Sequence, residues 1–131
     1  MLKKIFIVLL YINTLFGQTP GFSQPIDLGI VDQKDINEAS GLASSYQNYG
    51  ILWTHNDNTN DKRLFAINTE AKIVAIYYIK TDKWYDVEDI AISKDLNDGN
   101  YYIYIGDIGD NKGERKIRRI IKLKEPKVNY N

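Results

Sequence analysis

Apolar and polar residues alternate along this chain in short blocks, and no block sustains the period of about 3.6 residues that marks a helix. Ile26 to Val31 is the first candidate strand, reached through Pro25. Asp32 to Ala39 is polar, with room for one loose helical turn. Gly41 to Ser44 is a short strand that ends in the turn Tyr46-Gln-Asn-Tyr-Gly50. Further strands are predicted over Ile51 to His55, Arg63 to Asn68, Ile73 to Lys80, Val87 to Ser93, Tyr101 to Ile105 and Lys116 to Lys124. The pair Asp98-Gly99 is a hairpin signal between two of them. Strands that recur every 8–12 residues or so predict an all-β sandwich, barrel or propeller. Tyr101 to Ile105 is unbroken β-branched and aromatic sequence, which suits a strand buried on both faces.

An internal echo chooses among these architectures. Glu38-Ala-Ser-Gly-Leu-Ala43 is followed by an apolar strand and then by Asn56-Asp57. Downstream, Asp86-Val-Glu-Asp-Ile-Ala91 is followed by an apolar strand and then by Gly106-Asp107 and Asp110-Asn111. The offset of about 50 residues suits propeller blades of four strands each. The expected fold is a partial β-propeller of antiparallel blades: blade one over residues 38–80, and blade two over residues 86–126 without its fourth strand. A ring needs about 4–8 blades. The chain is therefore expected to be a fragment of a ring, or one of several short chains that assemble into one.

Composition narrows the function. The 131 residues carry no net charge and are 44% hydrophobic, enough for one buried core and no argument for nucleic acid or an anionic membrane. The seven basic residues between Lys112 and Lys124 alternate with isoleucine and leucine, as on an outer strand with a solvated face. Absence of cysteine excludes disulfides, zinc–thiolate sites and a cysteine nucleophile. Lys3 and Lys4 precede an apolar run from Ile5 to Phe16, then small and polar residues; this is the order of a secretory signal peptide. The expected domains are thus a signal peptide over residues 1–23 and the β domain over residues 24–131. The product is secreted or periplasmic, and spans no membrane after cleavage.

Propeller topology gives the acidic residues one address, because the start of a blade's first strand and the end of its second lie on the same face. That gathers Glu38, Asp57, Glu88, Asp107, Asp110 and Asn111, with Asp86 and Asn56 beside them. Oxygen-only ligands at this density suit a hard cation, calcium before magnesium. The competing reading is that these Asp and Asn side chains only shape turns. The loop from Asp57 to Asn68 is no EF-hand, since Lys62 stands where that loop needs glycine. His55, the sole histidine, is the candidate general base; its alternative role is a hydrogen-bonded strand end. Trp53, Trp84 and Tyr85 suit stacking on a ligand, although core packing explains Trp53 better.

The motifs at Glu38–Ala43, Trp53–Asp57, Leu64–Ile67, Glu88–Ala91 and Gly106–Asn111, with a weaker one at Lys122–Pro126, resemble those of a family of secreted bacterial β-propellers. That family is similar in plan to phytase-like, gluconolactonase and paraoxonase propellers, whose members often bind calcium. Val87 stands where the family pattern has tryptophan, and Asn58-Thr59 where it has Ser-Gly. The resemblance implies a binding or scaffold module for a small-molecule or extracellular ligand, with calcium in a structural role. Its alternative is a calcium-dependent hydrolase of phosphoesters or lactones. Unpaired blade edges predict self-association.

Overall fold

A computed structural model of the chain describes residues 21–31, 34–57, 61–82 and 84–129. The predicted signal peptide lies, as far as residue 20, outside these residues. Seven strands form: β1 (Ala39–Ser44), β2 (Ile51–Asn56), β3 (Arg63–Asn68), β4 (Ile73–Tyr78), β5 (Asp89–Lys94), β6 (Tyr101–Asp107) and β7 (Arg119–Lys124). They make two antiparallel sheets, one in the order β1-β2-β3-β4 and one in the order β5-β6-β7. Among the described residues there is no helix, and so none long and apolar enough to cross a membrane.

The main core lies between the sheets. Ile51 and Trp53 of β2 and Leu64 and Ala66 of β3 meet Ile90 of β5 and Ile103 and Ile105 of β6. Trp84 and Val87, on the connection between the sheets, close this cluster. The alternate residues of β3, Phe65 and Ile67, pack with Ile36, Val31 and Leu52 on the opposite face of the first sheet. Both faces of β2 and β3 are therefore covered, which is why their sequences read as continuous apolar runs. β6 differs from expectation. Ile103 and Ile105 are buried, whereas Tyr102 and Tyr104 on its other face stay half-exposed, with the Lys122 ammonium 4.0 and 5.8 Å from their ring centres. Tyrosine and a lysine stem shelter one another there without a second layer above them.

The predicted strand over residues 26–31 forms no ladder. Gly29 has φ 125°, and its N–H donates to the Asp27 Oδ1 at 2.9 Å, a local turn that takes an amide out of any ladder. Ile26, Leu28 and Ile30 are left exposed. The other strands fall within a few residues of their predicted bounds.

The two sheets meet edge to edge at β1 and β5. A bulge between Ser40 and Leu42 brings Gly41 against Ile90, at φ 78°. A Cβ on Gly41 would stand 3.0 Å from Ile90 Cγ2 and 3.2 Å from His55 Nε2. The Ser40 hydroxyl reaches across to the Glu88 carbonyl at 3.1 Å, and the Thr54 hydroxyl donates to the Gly41 carbonyl at 2.7 Å. After β7 the chain returns to the first sheet. The buried Glu125 accepts from Trp53 Nε1 at 2.9 Å and from the Ser45 hydroxyl, and the Val128 N–H donates to Asn48 Oδ1 at 2.8 Å.

Gly41→Ala should lower unfolding stability by about 1–2 kcal/mol from its left-handed backbone alone, and by more from the close contacts. Chemical denaturation checks this; an unchanged midpoint would mean that the two sheets do not depend on this approach.

Candidate functional site

The second strand of each sheet ends in a buried polar residue. At the end of β2, Asn56 is wholly buried: its Oδ1 accepts the Glu38 N–H at 3.3 Å, and its Nδ2 donates to the Asp35 carbonyl at 2.9 Å and to Asp61 at 2.6 Å. At the end of β6, Asp107 is likewise buried, and its Oδ1 accepts the Asp86 N–H at 3.0 Å. Each sheet thus uses the same device. A side-chain oxygen at the end of the second strand holds the backbone just ahead of the first. An arginine stands beside each: Arg63 pairs with Asp61 and with Asp35 at 2.8 Å, and Arg115 pairs with Asp107 at 2.8 Å. The echo seen in the sequence is this repeated clamp.

Asp110 is also engaged. Its carboxylate accepts the N–H groups of Glu114 and Arg115 at 2.9 and 3.1 Å and pairs with Arg118 at 2.7 Å. Of the predicted cation ligands, Asp110 is therefore occupied by a guanidinium group and backbone amides, whereas Asp107 is engaged through Oδ1 and its buried Oδ2 has no hydrogen-bond partner, with Arg119 3.9 Å away. Sequence reasoning read Arg115 and Arg118 only as part of a basic stretch; their partners lie eight residues earlier across a loop.

A second layer lies above the clamps. Glu38, Asp57, Asp86, Asp110, Asn111 and Glu114 line one cavity of about 490 Å³ together with Tyr85, Lys112 and Arg115. The Asp57 N–H donates to the Glu38 carbonyl at 3.0 Å, and the Gly109 N–H to the Asp86 carbonyl at 3.0 Å, so both loops are tied to the strand starts they face. Glu88 borders this group and accepts weakly from Ser40 at 3.4 Å. Burial raises the Glu88 carboxyl above its ordinary 4.5; the neighbouring Asp86 and Asp57 push the same way, with Ser40 opposing. Gly109 makes the crowding possible. A Cβ there would overlap Asp86 Cγ at 2.4 Å and Glu88 Oε1 at 2.5 Å. Of the six residues that sequence reasoning assigned to the cation, Glu38, Asp57, Asp110 and Asn111 line this cavity together with Asp86, which was placed on the same face, and Gly109 is the part of the wall that sequence reasoning missed. Among the described residues, no group of three or more His, Asp or Glu side chains is already gathered as a metal site.

His55 is wholly buried, edge-on to Trp84 with ring centres 6.1 Å apart. Its Nδ1 lies 3.2 Å from the Asn56 carbonyl, which accepts only from a protonated Nδ1, and its buried Nε2 has no hydrogen-bond partner. Burial lowers its pKa from 6.5, against opposing pulls from the Asn56 and Asp89 backbone and the Asp89 and Asp57 carboxylates. The ring lies against Gly41 and Trp84 with no exposed surface. Trp84 is buried three residues before Val87 and supplies an indole to this core, so valine at position 87 leaves no aromatic gap. Trp53 belongs to the same core; Tyr85 alone of the three predicted stacking residues is exposed, with Arg115 and Arg119 5.8 and 5.7 Å from its ring centre.

Comparison with protein-family models, curated proteins and solved structures returns no match for this chain.

A histidine held neutral by burial contributes stability that is present above its ordinary pKa of 6.5 and is lost as pH falls through its depressed folded value. Acidification below about pH 6.5 should lower the melting temperature of the wild-type chain more than that of His55→Phe. Parallel thermal melts at pH 8 and pH 5.5 check this, and equal losses in both chains would remove His55 as the cause.

Proposed function

We propose that this protein is a secreted binding or scaffold module, a partial β-propeller in which each sheet is a blade, with calcium held structurally on its acidic face. Two features support the propeller reading: the repeated clamp at Asn56 and Asp107, and the approach of the sheets through their first strands, β1 and β5. Neighbouring blades of a propeller face the channel with those strands. The ligand is a small molecule or an extracellular component, and further sheets or copies join through open sheet edges.

The observation that carries the binding reading is the division of the polar motif residues into two layers. His55 and Asp107 are closed off in the interior, while Glu38, Asp57 and Asp86 line the open cavity and Glu88 lies beside Asp86 and Asp57. The hydrolase alternative finds no support at His55, whose ring is wholly buried. The outer donors are oxygen-only, and anionic crowding at Glu88 is the strain that a bound divalent cation would relieve; both fit calcium. Asp57, Asp86 and Glu88 would hold the ion, with Asn111 at the margin. Calcium would supply charge neutralisation there and stiffen the loops that follow β2 and β6.

Calorimetric titration at pH 7 should show calcium binding that weakens about tenfold or more in Glu88→Gln. A proton competes with the ion for Glu88, whose pKa lies above 4.5. Affinity should therefore fall on acidification before an ordinary glutamate would titrate. Calcium should also raise the melting temperature. A folded sample that gives neither heat nor a melting shift would remove calcium from this reading.

A further inference from the structure

The two sheets differ by one strand, and the chain contains an extended segment with no ladder partner. The first sheet has four strands, the second three, and the outer edge of β7 has no strand against it among the described residues. Such an edge presents a row of unpaired amides and carbonyls. At the other end of the described chain, the apolar residues Ile26, Leu28 and Ile30 recur at every second position and are 81, 54 and 86% exposed, with Asp27 and Gly29 between them and Val31 packed against the first sheet. Period-two alternation with exposed apolar side chains is the pattern of a strand that has not found its sheet.

We infer that residues 26–31 of one copy add as a fourth strand along the free edge of β7 in a second copy. The inference rests on the edge-association reading above and names the strand and the edge. Lengths match, since β7 is six residues long and so is the donated segment. Side-chain chemistry matches as well. Ile121 and Leu123 of β7 face the main core, and the apolar side of the incoming strand would extend that face. Lys122 and Lys124 point to the other side, where Asp27 would lie. β7 carries Arg119, Lys122 and Lys124 and no acid, whereas the segment carries Asp27 and no base. Gly29 is the kink that must straighten, and glycine gains extended backbone without steric cost.

The geometry favours a second copy over the same chain. Ile36 anchors the chain just beyond the segment on the face of the first sheet opposite the main core; Val31, which packs there, and Gly29, beside Glu70 in the turn between β3 and β4, must leave that face when the strand is donated. The first sheet thus stands between this segment and its own second sheet, of which β7 is the far edge. Six extended residues span about 20 Å, which would have to go around an entire sheet. Reciprocal donation between two copies closes as a symmetric dimer.

The test is the mass of the full chain by light scattering, with and without excess free peptide of sequence Gln24–Val31. Successive amides of a strand point to opposite sides, so one of Leu28→Pro and Gly29→Pro must delete a ladder donor. A dimer is expected that the peptide converts to monomer and that at least one proline variant weakens by about tenfold or more. Labelled peptide should bind the monomeric variant, with hydrogen exchange slowed in residues 119–124. Monomers at high concentration that bind no peptide would overturn both this inference and the edge-association reading. Association that neither the peptide nor either proline changes would overturn the inference alone and move the contact to another surface.

Discussion

The Asp107 carboxylate lies at the end of β6 with no solvent exposure, and a charge in that position is costly unless something pairs with it. Arg115 supplies the pair at 2.8 Å, Arg119 approaches Asp107 Oδ2 at 3.9 Å, and the Asp86 N–H donates at 3.0 Å. These contacts fix three stretches at once: the end of β6, the loop that carries Arg115, and the backbone leading into β5. The Arg115 guanidinium also donates to the Gly109 carbonyl at 2.6 Å, which sets the loop over Asp86 and Glu88. Removing Arg115 would leave the buried Asp107 carboxylate with only the Asp86 N–H and Arg119 at 3.9 Å, a penalty of up to about 3–5 kcal/mol. The outer acidic layer can be crowded because this inner layer is rigid. Asn56 repeats the arrangement in the first sheet with an amide, and there the charges stay one shell farther out, on Asp61 and Arg63.

The second constraint joins the sheets at their opposite end. Glu125 follows β7 and is buried against Trp53, Ser45 and Asn48. The indole N–H needs an acceptor once the ring is fully enclosed, and Glu125 is that acceptor. The hydrogen bond therefore makes Trp53 both a hydrophobic mass in the core and a polar tie to the returning tail. With Gly41 against Ile90 at one end and Glu125 against Trp53 at the other, neither sheet can rotate without breaking buried polar contacts. A hydrophobic interface alone would be tolerant of such rotation, because area burial is not directional.

The strands were legible in the sequence because apolar blocks and turn residues are local signals. Asp98-Gly99 and the apolar runs of β2 and β3 place their elements almost to the residue. The placement of the acidic loops on one side was legible too, through the echo between Glu38–Asp57 and Asp86–Asn111. What the sequence could not convey was which carboxylates are spent inside. Asp107 and Asp110 look like Asp57 and Glu88 in a string of letters. Only the closure of the loop after Asp110 brings Arg115 and Arg118 onto them. Glu125 carries no local signal at all, since Trp53 is 72 residues away. The segment at residues 26–31 misled for the converse reason: alternation specifies which side of a strand is apolar, but not whether an edge is in reach.

The distribution of charge follows from these constraints. A net charge of zero conceals a division between an acidic wall at Asp57, Asp86 and Glu88 and a basic strand at Arg119, Lys122 and Lys124. The interior clamps remove Asp107 and Asp110 from the solvent-facing balance, and Lys122 settles between Tyr102, Tyr104 and Asp95. Toward solvent, two features stand out: anionic crowding at Asp57, Asp86 and Glu88, and the free backbone edge of β7. The two are of different kinds. Carboxylates held together by a glycine with no room for a Cβ call for a compact cation, whereas an edge of alternating lysine and leucine calls for a strand. The acidic wall lies beyond the strand ends and the free edge runs along β7, so the proposed ion on the face and the proposed strand at the side would not compete for the same surface.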